Sequence, residues 1–233
     1  MTIIERIKLL TVSILAFLFA SESAYCQDWA NLERYRTENM EVQAPQPGER
    51  RVIFMGNSIT EGWTGFSPGY FEGKPYLNRG ISGQTTPQML IRFRQDVINL
   101  DPAVVIILAG TNDIAGNTGP ATPGMIMANI KSMAELAEYH GIKVILCSVL
   151  PVYDYPWSPG RNPVENIALL NSMIKEYASQ HGHIYADYFS DMVDGRMGLK
   201  EEYTYDGVHP NAAGYRVMEE LANKAIEEAL SKE

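Results

Sequence analysis

The sequence of 233 residues carries 19 Lys and Arg against 28 Asp and Glu, which gives a formal net charge of −9 at pH 7. With 45% hydrophobic residues, a chain of this length can bury one sizeable core, but it is short for two domains. The acidic balance and the lack of any basic run argue against nucleic-acid binding.

Residues 1–26 have the features of a secretory signal peptide. Two basic residues precede an apolar stretch at 9–20, which is too short to span a bilayer. Cleavage after Cys26 would leave Gln27 as the first residue of the mature chain. The sequence therefore predicts export to the periplasm or the medium, without stable membrane insertion after cleavage. An uncleaved membrane anchor and a lipid anchor on Cys26 stay open as alternatives.

The remainder is predicted to form an N-terminal helix and linker at 27–50, with the helix at 29–40, and then one domain at 51–233. Five short runs rich in apolar residues predict buried strands, at 52–55, 76–80, 103–109, 142–149 and 183–186. Cys147, in the fourth run, is expected to be a buried small hydrophobic residue rather than a nucleophile.

Helices are predicted between and after these strands. Residues 59–61 could open a helix after the first strand, ahead of a loop rich in glycine and aromatic residues. Apolar residues at helical spacing predict further helices that begin near Pro87 and cover 123–140, 164–181 and 211–230. Alternation of strands and helices predicts a parallel sheet with helices on both faces, and sites in such folds lie at the carboxyl ends of the strands.

A serine lies at the first of these strand ends. Ser58 follows Gly56 and Asn57 on a strand-to-helix turn, where a side chain stands clear of the sheet beside free backbone N–H groups. A serine hydroxyl needs a general base within hydrogen-bond reach. Of the four histidines, His209 fits best because Asp206, three residues earlier, can orient its ring. The alternative is that Asp206 begins a turn and His209 caps a helix.

Two other strand ends carry groups that suit an oxyanion hole. Backbone N–H groups of Ser58 and Gly83, with the side-chain amide of Asn112, would supply three neutral donors to a developing negative charge. Gly83 as a turn glycine and Asn112 as a helix cap are the alternative interpretations.

Taken together, these blocks resemble the motifs of the SGNH (GDSL-type) hydrolases. They are Gly56-Asn57-Ser58, Gly83, Gly110-Thr111-Asn112-Asp113 and Asp206-Gly207-Val208-His209-Pro210. The resemblance implies a three-layer α/β/α flavodoxin-like sandwich with a five-stranded parallel sheet. It also implies Ser58 as nucleophile, His209 as base, Asp206 as the orienting acid, and Ser58, Gly83 and Asn112 as oxyanion donors. Neither a metal nor an organic cofactor is implied. Asn57 stands where the family name has aspartate.

The substrate is predicted from loop composition. Trp63, Tyr153 and Trp157 lie on predicted loops that leave catalytic-side strand ends, where aromatic rings can stack on sugars. Ordinary packing within these loops is the alternative interpretation. The sequence therefore predicts a secreted serine esterase that hydrolyses short-chain acyl esters, O-acetyl groups on carbohydrates in particular. A short-chain lipid or aryl-ester acylhydrolase, similar to platelet-activating-factor acetylhydrolases or thioesterases, is the alternative enzyme. A non-catalytic glycan-binding module is the alternative from another class. The oligomeric state is not predicted.

Overall fold

The computed structural model describes residues 28–231. The predicted signal peptide and Cys26 lie outside the described residues. Five parallel strands form one sheet in the order β2-β1-β3-β4-β5. The strands are β1 Val52–Gly56, β2 Tyr76–Gly80, β3 Val104–Leu108, β4 Lys143–Cys147 and β5 Ile184–Ala186. The predicted sheet is confirmed.

Eight α-helices connect and flank the strands in the described part of the chain. They are α1 Arg36–Glu41, α2 Ser58–Phe66, α3 Thr86–Asp96, α4 Thr111–Ala115, α5 Pro123–Tyr139, α6 Pro163–His181, α7 Tyr188–Met192 and α8 Ala212–Ser231. Short 3₁₀ turns lie at Pro68–Tyr70, Ile98–Leu100 and Glu201–Tyr203. None of the helices that the structure describes is long and apolar enough to cross a bilayer.

Side chains alternate across the sheet and build two cores. On β1, Ile53 and Met55 pack with the helices α3, α5 and α6, whereas Val52 and Phe54 pack with α2, α7 and α8. Since β1 and β3 are buried along their whole length, both faces of the sheet centre are covered, as expected for a parallel sheet. The predicted three-layer α/β/α sandwich is therefore confirmed.

The N-terminal segment differs from its prediction. The predicted helix at 29–40 is wrong in extent, because the chain makes turns until α1 begins at Arg36. Asn31 adopts φ 55°, a left-handed conformation that interrupts a right-handed helix.

Despite its irregular backbone, this segment is firmly attached to the domain. Side-chain amides of Gln84, Gln88 and Gln95 donate to the carbonyl oxygens of residues 30, 29 and 32 respectively, at 2.6–2.7 Å. Tyr35 Oη donates to the Gly80 carbonyl at the end of β2. The domain boundary at residue 51 stays a prediction.

A buried ion pair on α3 fixes the end of the first strand. Arg92 and Asp96 are fully buried and lie 2.9 Å apart. The Arg92 guanidinium also donates to the carbonyl oxygen of Gly56 and to the side chain of Gln84. One side chain thus joins α3, the end of β1 and the loop after β2, which are the elements that surround Ser58.

The strand order reverses next to this ion pair. From β1 the chain crosses to β2 on one side and then returns to β3 on the other. The crevice between the carboxyl ends of β1 and β3 is the topological switch point, where α/β sheets bind ligands.

Candidate active site

The turn between β1 and α2 presents Ser58 at the switch point. Ser58 is the first residue of α2, and the Asn57 side chain accepts from the Ile59 N–H at 3.1 Å, which caps the helix. A Cβ on Gly56 would lie 1.9 Å from Thr60 Oγ1. Only glycine therefore allows α2 to begin so close to the strand end.

Ser58, His209 and Asp206 form a hydrogen-bonded chain. Ser58 Oγ lies 2.9 Å from His209 Nε2, and His209 Nδ1 lies 2.7 Å from Asp206 Oδ2. The other carboxylate oxygen, Oδ1, accepts from the backbone N–H groups of Val208 and His209 at 2.9 and 2.7 Å. An ionised Asp206 makes Nδ1 a donor, so that Nε2 is free to accept the Ser58 proton.

The environment of Asp206 favours its charged form. Partial burial raises the pKa of the Asp206 carboxyl, but the hydrogen bonds from the His209 backbone and ring and from Val208 outweigh it. The net result is a pKa below the ordinary aspartate value. The carboxylate that orients the imidazole therefore stays ionised well into mildly acidic solution.

The loop that carries both residues is held from within. Thr204 Oγ1 donates to the His209 carbonyl at 2.7 Å and accepts from the Gly207 N–H at 2.9 Å. Gly207 has φ 87°, which favours glycine. One short loop thus delivers Asp206 and His209 to Ser58 in a fixed register.

The predicted oxyanion donors face the same cavity. This cavity of about 470 Å³ is lined by Ser58, Glu61, Gly62, Ser82, Gly83, Asn112, Asn117, Trp157, Tyr205 and His209. Asn112 is buried on α4, where one of its amide N–H groups donates to the Gln84 carbonyl at 2.9 Å. The second N–H is left for a ligand. Gly83 has φ 77°, and nothing lies within 4 Å of a built Cβ.

Glu61 was not anticipated from the sequence. Its carboxylate accepts from the backbone N–H of Ser82 at 2.8 Å, from the Ser82 hydroxyl, and from Arg34 at 3.4 Å. It therefore holds the start of the loop that contains Gly83. Its position one helical turn after Ser58 was the available sequence signal.

Asn117 is a second missed residue. Asn117 Nδ2 donates to the Gly83 carbonyl at 3.1 Å, and its Oδ1 accepts from the Trp157 indole N–H at 3.0 Å. The Asn117 backbone N–H also donates to the Asn112 carbonyl at 3.0 Å. A single side chain thus couples the loops that follow β2, β3 and β4.

We expect Asn117→Ala to lower kcat about tenfold. The substitution removes the hydrogen bond to the Gly83 carbonyl, and a modest displacement of the Gly83 N–H weakens transition-state stabilisation more than substrate binding. Steady-state kinetics on 4-nitrophenyl acetate measures the change. Trp157→Phe keeps a smaller aromatic ring and removes the N–H donor to Asn117, and in the Asn117→Ala background it should add little. Independent, additive effects of the two substitutions would contradict the coupling.

Of the three predicted substrate contacts, Trp157 alone is part of the cavity lining. Trp157 lines the cavity, with its ring centroid 5.9 Å from that of His209. Trp63 is 1% exposed and stacks on Tyr70 in the core, so its prediction is wrong: α2 continues past Trp63, which places the indole on the inward face. Tyr153 is an exposed ring that lies against Arg196 and is not part of the cavity lining, and its contact with the substrate stays a prediction.

Within residues 28–231, no three His, Cys, Asp or Glu side chains gather in a way that could hold a metal ion. Cys147 is buried, and burial raises the pKa of its thiol to about 12. A thiol in that state is a poor nucleophile.

Asp113, next to Asn112, is a buried carboxylate with neutral partners. Its oxygens accept from the Thr86 N–H at 3.0 Å and from the Thr86 hydroxyl at 2.6 Å. Burial raises the pKa of the Asp113 carboxyl to about 6, although the hydrogen bonds from Thr86 lower it in part.

This raised pKa makes stability depend on pH. Because the folded pKa exceeds the unfolded value, the folded state binds the proton more tightly, and stability from this group is lost as pH rises from about 4 to about 6. The free energy of unfolding of the wild type should fall over this window by up to about 3 kcal/mol relative to Asp113→Asn. Urea denaturation of both proteins at several pH values measures the difference. Parallel pH profiles would contradict the expectation.

Comparison with known proteins identifies a matching family and similar structures. The model of the GDSL-like Lipase/Acylhydrolase family matches residues 54–217. The structure is similar to that of a candidate acylhydrolase from Bacteroides fragilis NCTC 9343, with 49% sequence identity, a TM-score of 0.86, and coverage of 88% of this chain and 99% of that chain.

Two curated relatives are esterases. The chain is 29% identical over 179 residues to the esterase TesA of Pseudomonas aeruginosa, which covers 75% of this chain and 83% of TesA. It is 25% identical over 223 residues to the acetylxylan esterase of Xylanibacter ruminicola, over 79% of this chain and 45% of that enzyme. The chain thus matches less than half the length of the acetylxylan esterase.

Proposed function

Since the chain belongs to the GDSL-like lipase/acylhydrolase family and is a carboxylic ester hydrolase, we propose that it is an exported serine esterase that removes short acyl groups, acetyl in particular, from carbohydrate hydroxyls. The observation that carries the proposal is the chain of contacts Ser58–His209–Asp206, at 2.9 and 2.7 Å, in one cavity with Gly83 and Asn112. This arrangement supports nucleophilic acyl transfer.

In the proposed cycle, His209 Nε2 takes the Ser58 proton while Oγ attacks the carbonyl carbon of the ester. Negative charge on the carbonyl oxygen is stabilised by the backbone N–H groups of Ser58 and Gly83 and by the free amide N–H of Asn112. His209 then gives the proton to the leaving alcohol oxygen, and the C–O bond breaks. A water deprotonated by the same ring attacks the acyl-enzyme, which releases the carboxylic acid and restores Ser58.

The cavity lining supports a short acyl group. Among its lining residues, none is aliphatic and none is Lys or Arg. A long acyl chain would need an apolar channel. An anionic substrate would meet the carboxylate of Glu61, whose ion-pair partner Arg34 is not part of the cavity lining. A small, neutral acyl ester fits this lining better, and the acetylxylan esterase relative is consistent with an acetyl group.

Acyl preference is tested with 4-nitrophenyl esters from acetyl to octanoyl and with acetylated xylan, with Ser58→Ala in parallel. We expect kcat/KM to fall by about tenfold or more between acetyl and butyryl, and acetate to be released from the glycan. Sustained serine-dependent activity on octanoyl esters would overturn the acetyl preference and favour a lipid or general acylhydrolase. Glycan binding without any serine-dependent turnover would favour the binding module.

Export is proposed from the sequence of residues 1–26 alone. N-terminal sequencing of the protein recovered from a bacterial host should give Gln27 as the first residue. Radiolabelled fatty acid incorporated into the protein would instead support a lipid anchor on Cys26.

A further inference from the structure

An exposed aromatic surface lies next to His209, the proposed general base. The ring centroid of Tyr205 lies 5.8 Å from that of His209, with the planes 11° apart. Phe66, the last residue of α2, lies 5.7 Å from Tyr205 at 21°. Tyr205 is 59% exposed and Phe66 is 44% exposed. Two solvent-accessible rings therefore extend outward from His209.

The ring of Phe66 is held in place by a buried residue. Phe66 also stacks on Tyr215, with centroids 5.6 Å apart. Tyr215 is buried, and its hydroxyl donates to the Ile59 carbonyl at 2.8 Å. A ring held in this way loses little conformational freedom when a ligand packs on it.

The reaction itself indicates what this surface would contact. His209 must pass its proton to the leaving oxygen, which therefore lies within hydrogen-bond distance of Nε2. In an acetate ester the acyl side ends after one methyl group, so the bulk of the substrate begins at that oxygen. The alcohol is thus released next to the ring of His209, where the exposed rings begin.

A third aromatic ring near His209, that of Trp157, is 45% exposed but is held by a hydrogen bond. Trp157 is tied through its indole N–H to Asn117, which also holds the Gly83 carbonyl. Trp157 therefore belongs with the oxyanion loop. Phe66 instead lies at the end of α2, and Tyr205 lies in the loop that carries His209.

We propose that Phe66 and Tyr205 form the subsite for the alcohol, and that it takes a neutral pyranose ring stacked on the aromatic surface. This inference rests on the proposed function and extends it from the reaction to the position of the sugar. The apolar C–H faces of a sugar ring pack on aromatic rings, whereas a charged alcohol finds no cation in the cavity lining.

The test compares acetate release from acetylated xylo-oligosaccharides with that from ethyl acetate, whose alcohol has no ring. We expect Phe66→Ala to lower the ratio of the two kcat/KM values about fivefold to tenfold, mainly through KM for the sugar. Phe66→Tyr keeps a ring and should preserve the ratio. Tyr205→Leu should lower it, and Tyr205→Phe should not.

Tyr139→Ala is the matched control, because Tyr139 is an aromatic residue, 85% exposed, at the end of α5, outside the cavity lining. The proposal is overturned if the ratio in Phe66→Ala and Tyr205→Leu equals that of the wild type. If the wild type hydrolyses ethyl acetate but no acetylated sugar, the carbohydrate assignment is wrong, and the ratio for cyclohexyl acetate against ethyl acetate then decides whether the rings bind the alcohol. Thermal midpoints of all variants check that the fold is intact.

Discussion

Ser58→Ala is expected to lower kcat/KM for 4-nitrophenyl acetate by about 10⁵-fold, because it removes the hydroxyl that His209 can activate, while the Ser82 hydroxyl in the same cavity donates to Glu61. In the wild type, Ser58 Oγ lies 2.9 Å from His209 Nε2. The sulfur of Cys147 cannot replace it, because Cys147 is buried in the core. The loss should appear in kcat, since the cavity that binds the ester is otherwise unchanged. Initial rates of 4-nitrophenol release measure it.

Ser132→Ala provides the matched control, because Ser132 lies on α5 and bonds only to the Ala128 carbonyl of its own helix. A fluorophosphonate should label the wild type and Ser132→Ala at residue 58, as peptide mass spectrometry can show. Retention of more than about a hundredth of the wild-type rate by Ser58→Ala would contradict the assigned nucleophile.

Asp206→Asn is expected to lower kcat by about 10⁴-fold with nearly unchanged geometry. The carboxylate accepts from His209 Nδ1 on one oxygen and from two backbone N–H groups on the other. An amide has a single oxygen, so it cannot accept from both the ring and the backbone N–H groups. If its oxygen faces the backbone, its N–H₂ faces Nδ1 and forces the tautomer with a proton on Nε2, which cannot accept from Ser58.

The reverse orientation of the amide is no better, because its N–H₂ would then oppose the N–H groups of Val208 and His209. Asp191→Asn, an exposed aspartate on α7 outside the cavity lining, should retain full activity. Wild-type kcat in Asp206→Asn would show that the carboxylate does not set the histidine tautomer.

The fold was largely predictable because its determinants are local. Runs such as 104–108 are apolar on both faces and can only be central strands. Since parallel strands place their carboxyl ends at one edge, Ser58, Gly83 and Asn112 could be brought together from their sequence positions alone. The family and the hydrolase class are confirmed by the comparisons, whereas the roles of individual residues stay predictions.

The errors have one physical origin. The burial and contacts of a side chain depend on the face of the helix or strand that it occupies. That face can be predicted only when the length of the helix or strand is known. The sequence predicts a loop at Trp63, whereas α2 continues to Phe66 and the Trp63 indole N–H donates to Glu219 of α8. The sequence does not single out Asn117, because the partners of its side chain lie 34 and 40 residues away. Phe66 and Tyr205 are not singled out either, because they stack on each other from separate elements.

The attachment of the N-terminal segment limits how the protein can be shortened. A version of the protein that begins at residue 51 would lack the carbonyl oxygens that accept from three glutamine side chains, one just before α3 and two on it. Gln84 directly follows Gly83 and also contacts Arg92, so the disturbance would reach the oxyanion loop at its backbone. Protein engineering and proteolytic processing meet the same limit. The segment from Trp29 onward is structurally part of the domain that carries the cavity, although it lies outside the matched family region.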